Sequence, residues 1–119
     1  MSTVKVQSHD LYYRVHNGGP LVKSPPVVLV HGAGGTHMHW PAEVRRLAGH
    51  TVYALDLPGH GRSGGPGCSN IVEYAEVVRE FVDAVGLGRI VLGGHSMGGA
   101  IAQEFAVRYP GRLAGLILV

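Results

Sequence analysis

The chain has 119 residues, of which 45% are apolar and 15% charged, a composition typical of one globular domain and unlike that of a disordered segment. Ten Lys and Arg against eight Asp and Glu give a formal charge of +2, and because the basic residues are scattered we expect no nucleic-acid partner. The sequence shows no apolar stretch long enough to span a membrane and no secretion signal, so we expect a cytoplasmic protein.

The predicted secondary structure begins with two strands and then alternates between strands and helices. In chain order the strands are Val4–Ser8, Leu11–His16, Val27–Val30, Thr51–Leu55, Ile90–Leu92 and Leu113–Val119, and the helices begin at about Pro41, Asn70 and Met97. The turn-like segment Ser8-His9-Asp10 between the first two strands predicts an antiparallel hairpin. The alternation from residue 27 onward predicts an α/β fold, a mostly parallel sheet with helices on both faces.

The two longer predicted helices carry clear signals at their ends. Asn70 and Glu73 match a capping box at the start of the first helix, and Gly86 ends it. The second runs over Met97–Tyr109, where Pro110 ends it. Its apolar residues occupy nearly every side, which predicts a deeply buried helix.

The turn between the fifth strand and the last helix is the most informative segment about function. Residues 94–98, Gly-His-Ser-Met-Gly, match G-x-S-x-G, which is a weak pattern alone and a strong one between a strand and a helix. So sharp a turn strains the backbone of the central residue, and neighbouring elements crowd the positions two before and two after it, where only glycine fits. We expect Ser96 to stand above the sheet at a helix N-terminus, which favours negative charge.

Three motifs, in their order and spacing, resemble those of the α/β-hydrolase family. They are His31-Gly32 after the third strand, Asp56-x-Pro58-Gly59-x-Gly61-x-Ser63 after the fourth, and residues 94–98 after the fifth. The resemblance implies that Ser96 is the nucleophile. It also implies an oxyanion hole formed by the backbone N–H groups of Met97 and Ala33, with Gly34 as the next choice. Such a donor stabilises a tetrahedral intermediate by about 2.7–4 kcal/mol.

The same resemblance implies a serine hydrolase that acts on a small carboxylic ester, thioester or similar acyl substrate through an acyl-Ser96 intermediate, without a cofactor or metal. Serine at position 96 argues against the dehalogenase and epoxide-hydrolase branches, which resemble this sequence but need aspartate there. Carbon–carbon bond hydrolases, lactonases, perhydrolases and hydroxynitrile lyases remain alternatives.

Two members of the family's catalytic triad have no counterpart in these residues. The family's chain order is serine, acid, histidine, whereas Glu104 is the only acidic residue after Ser96 and no histidine follows. We therefore expect residues 1–119 to be the N-terminal part of one hydrolase domain, ending at about its sixth strand without the lid and the late strands. Since loss of the base costs on the order of 10⁶-fold in turnover, the chain alone is expected to be nearly inactive.

An alternative interpretation is a non-catalytic fragment or binding module. The absence of a histidine after Ser96 favours it. In that case the partner would be a complementing chain, or a second copy paired through the exposed apolar strand Leu113–Val119, since an uncovered strand edge promotes association.

A second glycine-rich loop also matches a nucleotide-binding pattern. Gly59–Gly64 reads G-x-G-x-x-G and follows a strand, as in dinucleotide sites. However, Pro58 precedes it, no helix begins directly after it, and the next strand ends without an acidic residue for a ribose. A structural loop held by Asp56 and the glycines is therefore the favoured interpretation.

The remaining candidate side chains carry weaker signals. His37 and His39 have no nearby Cys or carboxylate with ligand spacing, so the sequence predicts no metal site. His95 adjoins Ser96, but adjacent side chains on a sharp turn point apart, which makes it a poor general base. Cys68 is the single cysteine and excludes an internal disulfide.

Overall fold

The computed structural model describes residues 2–22 and 24–119, which form a six-stranded sheet with helices packed on it. The strands are β1 (Ser2–Val6), β2 (His9–His16), β3 (Val27–Val30), β4 (Val52–Leu55), β5 (Ile90–Gly94) and β6 (Leu113–Leu118). The α-helices are α1 (Ala42–Arg45), α2 (Ile71–Ala84) and α3 (Met97–Arg108), with short 3₁₀ turns at His37–His39 and Pro110–Arg112.

The strand order across the sheet is β1-β2-β4-β3-β5-β6. The first two strands form the predicted antiparallel hairpin, and β2 is antiparallel to β4, while β4, β3, β5 and β6 are parallel. Val27 of β3 lies opposite Val52 on one side and Val91 on the other. The carboxyl ends of the central strands therefore meet at one edge, which brings the three glycine-rich segments together.

The two faces of the sheet bury different apolar clusters. Alternate residues of β3 point to opposite faces, with Val28 and Val30 in a large cluster and Leu29 in a small one. The large cluster contains the apolar sides of α2 and α3, and the small one includes Trp40, just before α1. The predicted mostly parallel sheet with helices on both faces is confirmed, although α1 is only one turn long.

The start of α2 has the predicted cap. The side-chain oxygen of Asn70 accepts a hydrogen bond from the backbone N–H of Glu73 at 2.9 Å. The Glu73 carboxylate does not return to Asn70, as in an ideal capping box, but accepts from the backbone N–H of Ser69 at 2.6 Å. Two backbone donors at the helix end are thereby satisfied.

Two details of the predicted elements are wrong. The hairpin turn lies at Gln7 and Ser8, both at positive φ, rather than at residues 8–10. Only one side of α3, including Ile101 and Phe105, is buried, and Val107 is 78% exposed. Small and apolar residues on several sides of this helix favour deep burial in the sequence. In the structure, only the side that faces the sheet and α2 has neighbours to pack against. No described helix is both long and apolar enough to cross a membrane.

Candidate active site

Ser96 occupies the turn that joins β5 to α3, and its backbone has φ 55° and ψ −117°. It is one of three non-glycine residues at positive φ in the described chain, a conformation that costs about 1–3 kcal/mol. The backbone N–H of Ser96 donates to the carbonyl of Val119 at 3.1 Å, and that of His95 donates to the carbonyl of Val30 at 3.1 Å. These bonds hold the strained turn against the ends of two strands, with Ser96 exposed.

The glycines around Ser96 sit where a side chain would overlap backbone atoms. A Cβ on Gly94 would lie 2.6 Å from the nitrogen of Gly99, and one on Gly98 would lie 2.7 Å from the carbonyl oxygen of His31. The predicted crowding at these two positions is confirmed. Gly32 is also close, because a Cβ there would lie 3.2 Å from the Cβ of Ser96.

The backbone N–H groups of Ala33 and of Met97, the first residue of α3, have no hydrogen-bond partner within residues 2–22 and 24–119. The N–H of Gly34, in contrast, donates to Nε2 of His60 at 3.0 Å. Ala33 and Met97 also line the same cleft, of about 340 Å³. Of the three predicted donors, the N–H of Gly34 therefore has an acceptor, while those of Ala33 and Met97 are unpaired within the described residues and belong to residues that line one cleft.

His31 connects the loop after β3 to the segment after β4. Its side chain is buried, Nδ1–H donates to the carbonyl of Gly32 at 2.7 Å, and Nε2 accepts from the backbone N–H of Leu57 at 3.0 Å. Burial lowers the pKa of His31 from its ordinary value of 6.5, against the opposing effect of the Gly32 carbonyl. The ring is therefore held as one neutral tautomer.

His60 makes a second connection between the same two loops. Its Nδ1–H donates to the carbonyl of Pro58 at 2.9 Å while Nε2 accepts from Gly34, and its ring lies 5.0 Å from that of His31. Both nitrogens of both rings are thus committed to backbone groups. Neither histidine is free to take a proton from Ser96 in this arrangement.

Asp56 organises the loop that follows β4. Its carboxylate is fully buried, and Oδ1 accepts from the backbone N–H of His37 at 2.7 Å and from Nδ1 of the same residue at 2.8 Å. Oδ2 accepts from the backbone N–H of Arg62 at 2.9 Å and leaves no room for a Cβ on Gly61. The hydroxyl of Ser63 donates to the Asp56 carbonyl. These contacts agree with the predicted structural role of this loop.

The other candidate side chains lie apart from these bonds. His95 is exposed, with its ring 6.4 Å from that of Trp40. Cys68 is partly buried, and burial, with a smaller effect of Glu73, raises the pKa of its thiol. Within the described ranges no three His, Cys, Asp or Glu side chains are arranged to hold a metal ion. His37 is paired with Asp56 instead.

Sequence reasoning missed the histidine connections. His31, His37 and His60 reach partners 19 to 26 positions away in the chain. The only signal was their position, since each lies in or beside a glycine-rich loop at a strand end. A spacing pattern within one loop cannot show that two loops will be bonded to each other.

Comparisons with known proteins agree on one fold. The family model described as alpha/beta hydrolase fold matches residues 25–119. Abhydrolase domain-containing protein abhd-5.2 of Caenorhabditis elegans is 42% identical over 106 residues, which are 83% of this chain and 24% of that protein.

Solved structures are similar over nearly the whole chain. A membrane phospholipase A, described as a bacterial virulence factor, has a TM-score of 0.88 and 35% identity, covering 98% of this chain and 38% of that one. A thermophilic esterase from Thermogutta terrifontis has a TM-score of 0.82 and 34% identity, covering 98% of this chain and 44% of that one. This chain therefore spans between about a quarter and under half of the length of these relatives.

Proposed function

The chain belongs to the α/β-hydrolase family, and we propose that it carries the nucleophile and the oxyanion hole of a serine hydrolase acting on a carboxylic ester, thioester or similar acyl substrate. The observation that carries the proposal is the exposed Ser96 on a strained turn, together with the unpaired backbone N–H groups of Ala33 and Met97, two residues that line one cleft. The phospholipase and the esterase among the structural relatives support an ester substrate.

In the proposed reaction, Oγ of Ser96 attacks the substrate carbonyl carbon and its proton passes to a general base. The carbonyl oxygen becomes an oxyanion, which accepts hydrogen bonds from the N–H groups of Ala33 and Met97. Collapse of this intermediate breaks the bond to the leaving alcohol or thiol, which takes up the proton, and leaves an acyl-Ser96 ester. Water then releases the acid by the same steps.

Ala33 is the proposed partner of Met97 in the oxyanion hole, ahead of Gly34. The N–H of Gly34 already has an acceptor in His60, and using it would break that hydrogen bond. The N–H of Ala33 has no such commitment within the described residues. A donor that is already in place and unpaired stabilises the developing charge without a reorganisation cost.

The general base is not assigned to any of these 119 residues. His31 and His60 are both engaged with backbone atoms, and no histidine follows Ser96 in the sequence. We propose that this chain alone hydrolyses activated esters barely or not at all, since loss of the triad base costs on the order of 10⁶-fold. A longer protein that joins this segment to an acid and a histidine would be a competent hydrolase.

A fluorophosphonate probe tests both statements by intact mass and peptide mapping. We expect slow modification of the 119-residue chain, confined to Ser96 and absent in Ser96→Ala. Ser24→Ala is a matched control, because the Ser24 hydroxyl lies 3.0 Å from Nδ1 of His50 but outside the cleft. Rapid labelling of Ser96 in the isolated chain would contradict the proposed inactivity. An inert longer protein would contradict the assignment as a hydrolase.

A non-catalytic module paired with another chain is the competing proposal. It is supported by the half-exposed apolar residues Leu116, Ile117 and Leu118 of the edge strand β6. Labelling by the probe separates the two proposals. A module would leave Ser96 unmodified even in a longer protein, and sedimentation would show a stable complex.

A further inference from the structure

A second cavity, of about 450 Å³, lies where β2, the turn at residues 36–38 and the loop after β4 meet. Its lining includes Tyr12, Arg14, Thr36, His37, Asp56 and Arg62. It shares no lining residue with the cleft that holds Ala33 and Met97. The cavity is therefore separate from the proposed catalytic cleft.

A buried imidazole offers one ring nitrogen to this cavity. Nδ1 of His37 bonds to Oδ1 of Asp56, which fixes the ring. Nε2 has no hydrogen-bond partner among the described residues, although the side chain is only 7% exposed. Nε2 of His37 still reaches solvent. Among the described residues, the only side-chain N or O atom that is both fully excluded from solvent and without a hydrogen-bond partner is Nε1 of Trp40. An almost buried polar atom of this kind normally has a partner, which here is either water or an occupant of the cavity that His37 lines.

The negative charge of Asp56 is already matched within the protein. Both carboxylate oxygens accept hydrogen bonds, from His37 and from the backbone of Arg62, and the group is fully buried. Asp56 therefore serves to orient its neighbours and does not need a cation from the cavity.

Two guanidinium groups add positive charge to the same walls. Arg14 is exposed on β2 and has no ion pair or hydrogen bond from its side chain to the described residues. The guanidinium carbon of Arg62 lies 5.4 Å from the centroid of the Tyr12 ring, which supports it from below. With Arg14 and Arg62 against Asp56, the formal charge of the lining is +1.

We propose that this cavity binds the phosphate group of a small molecule, either the free ion or a phosphomonoester. Each guanidinium carries several N–H donors in a plane, whereas Nε2 of His37 is an acceptor, because Nδ1–H donates to the Asp56 carboxylate. A phosphate that keeps one O–H can accept from the guanidinium groups and donate to Nε2, whereas an ionised carboxylate has no O–H to donate. The volume exceeds that of the ion alone, so the ester of a small organic group also fits.

The test is a titration of the isotope-labelled 119-residue chain at constant ionic strength, followed by NMR. Inorganic phosphate, glycerol 3-phosphate and acetate are the three probes. We expect saturable shifts centred on His37 and Arg62 with both phosphates, and weaker binding of acetate. A tighter fit for glycerol 3-phosphate would identify an ester as the occupant, and equal binding would identify the free ion.

Variants separate this site from ordinary surface charge. Arg14→Gln and Arg62→Gln are each expected to weaken phosphate binding about tenfold, as loss of one charged hydrogen bond predicts. Arg108→Gln removes an exposed arginine paired with Glu104 on α3 and should leave binding unchanged, as should Ser96→Ala. The proposal is overturned if acetate binds as tightly as phosphate, if Arg108→Gln weakens binding equally, or if no saturable shift occurs at His37.

Discussion

His60 and Gly34 join the two glycine-rich loops beside the proposed catalytic cleft, through a hydrogen bond of 3.0 Å from the Gly34 N–H to Nε2 of the ring. This bond occupies the amide of Gly34. The N–H of Ala33 has no partner among the described residues, and Ala33 lines the cleft together with Met97. In the proposed reaction, His60 thus takes no part in the chemical steps but keeps Gly34 from serving as the oxyanion donor.

Replacement of His60 by phenylalanine tests this connection. His60→Phe keeps a ring of similar size but removes both hydrogen bonds, to Gly34 and Pro58. We expect the free energy of unfolding to fall by about 1–2 kcal/mol and hydrogen exchange at the Gly34 amide to become faster. Urea denaturation and exchange NMR measure the two effects, with His16→Phe as the control. Unchanged exchange at Gly34 would contradict the bond.

The glycines that frame Ser96 should not tolerate even one methyl group. Gly94→Ala and Gly98→Ala would each place a Cβ against backbone atoms that cannot move aside. We expect a loss of about 3 kcal/mol or more in unfolding free energy, or no soluble protein. Gly111→Ala is the control, because its Cβ would meet nothing within 4 Å. Near-wild-type denaturation of Gly98→Ala would show that α3 does not approach β3 as described.

The backbone strain at Ser96 should lower the free energy of unfolding by a measurable amount. Glycine adopts φ 55° and ψ −117° readily, whereas alanine does not. We expect Ser96→Gly to be more stable than Ser96→Ala by about 1 kcal/mol, although both lack the hydroxyl. Chemical denaturation of the two variants gives the difference directly. Equal stabilities would mean that the turn is relaxed.

The buried His31 should make folding sensitive to acid. Burial lowers its pKa in the folded chain below the ordinary 6.5, so the unfolded chain binds more protons between the lowered value and 6.5. The contribution of the neutral, buried His31 ring to the free energy of unfolding is fully present above pH 6.5 and is lost as the pH falls from 6.5 through the lowered pKa. Denaturation curves should therefore show a smaller free energy of unfolding at about pH 5 than at about pH 7.5.

An NMR titration and one variant assign that pH dependence to His31. The ring should titrate with a midpoint below 6.5. His31→Gln, which cannot take up a proton in this range, should reduce the slope of stability against pH, while His16→Gln should leave it unchanged. A midpoint at or above 6.5 would show that the ring is solvated rather than buried.

The sequence predicted those features that depend on local geometry. The crowding at Gly94 and Gly98 follows from the sharpness of one turn, and the cap at Asn70 follows from the needs of one helix end. Both concern residues within a few positions of each other. The parallel sheet followed from the alternation of apolar strands with helices.

The features that were missed depend on contacts between distant segments. The pairing of His37 with Asp56 and the hydrogen bond that the Gly34 N–H donates to His60 form only because the carboxyl ends of β3 and β4 lie side by side. The one-sided burial of α3 likewise depends on which neighbours cover it, as the exposed Val107 shows. Residue spacing carries no information about such neighbours.

The pairing of β3 has a consequence for how the protein folds. Val27 pairs with Val52 on one side and with Val91 on the other, so the central strand joins segments that are far apart in the chain. Such non-local pairing makes folding slow, because long stretches of chain lose entropy before the contacts that reward them are made. Since Gly98 packs against the backbone at the end of β3, the conformation of Ser96 depends on this non-local pairing as well as on its own turn.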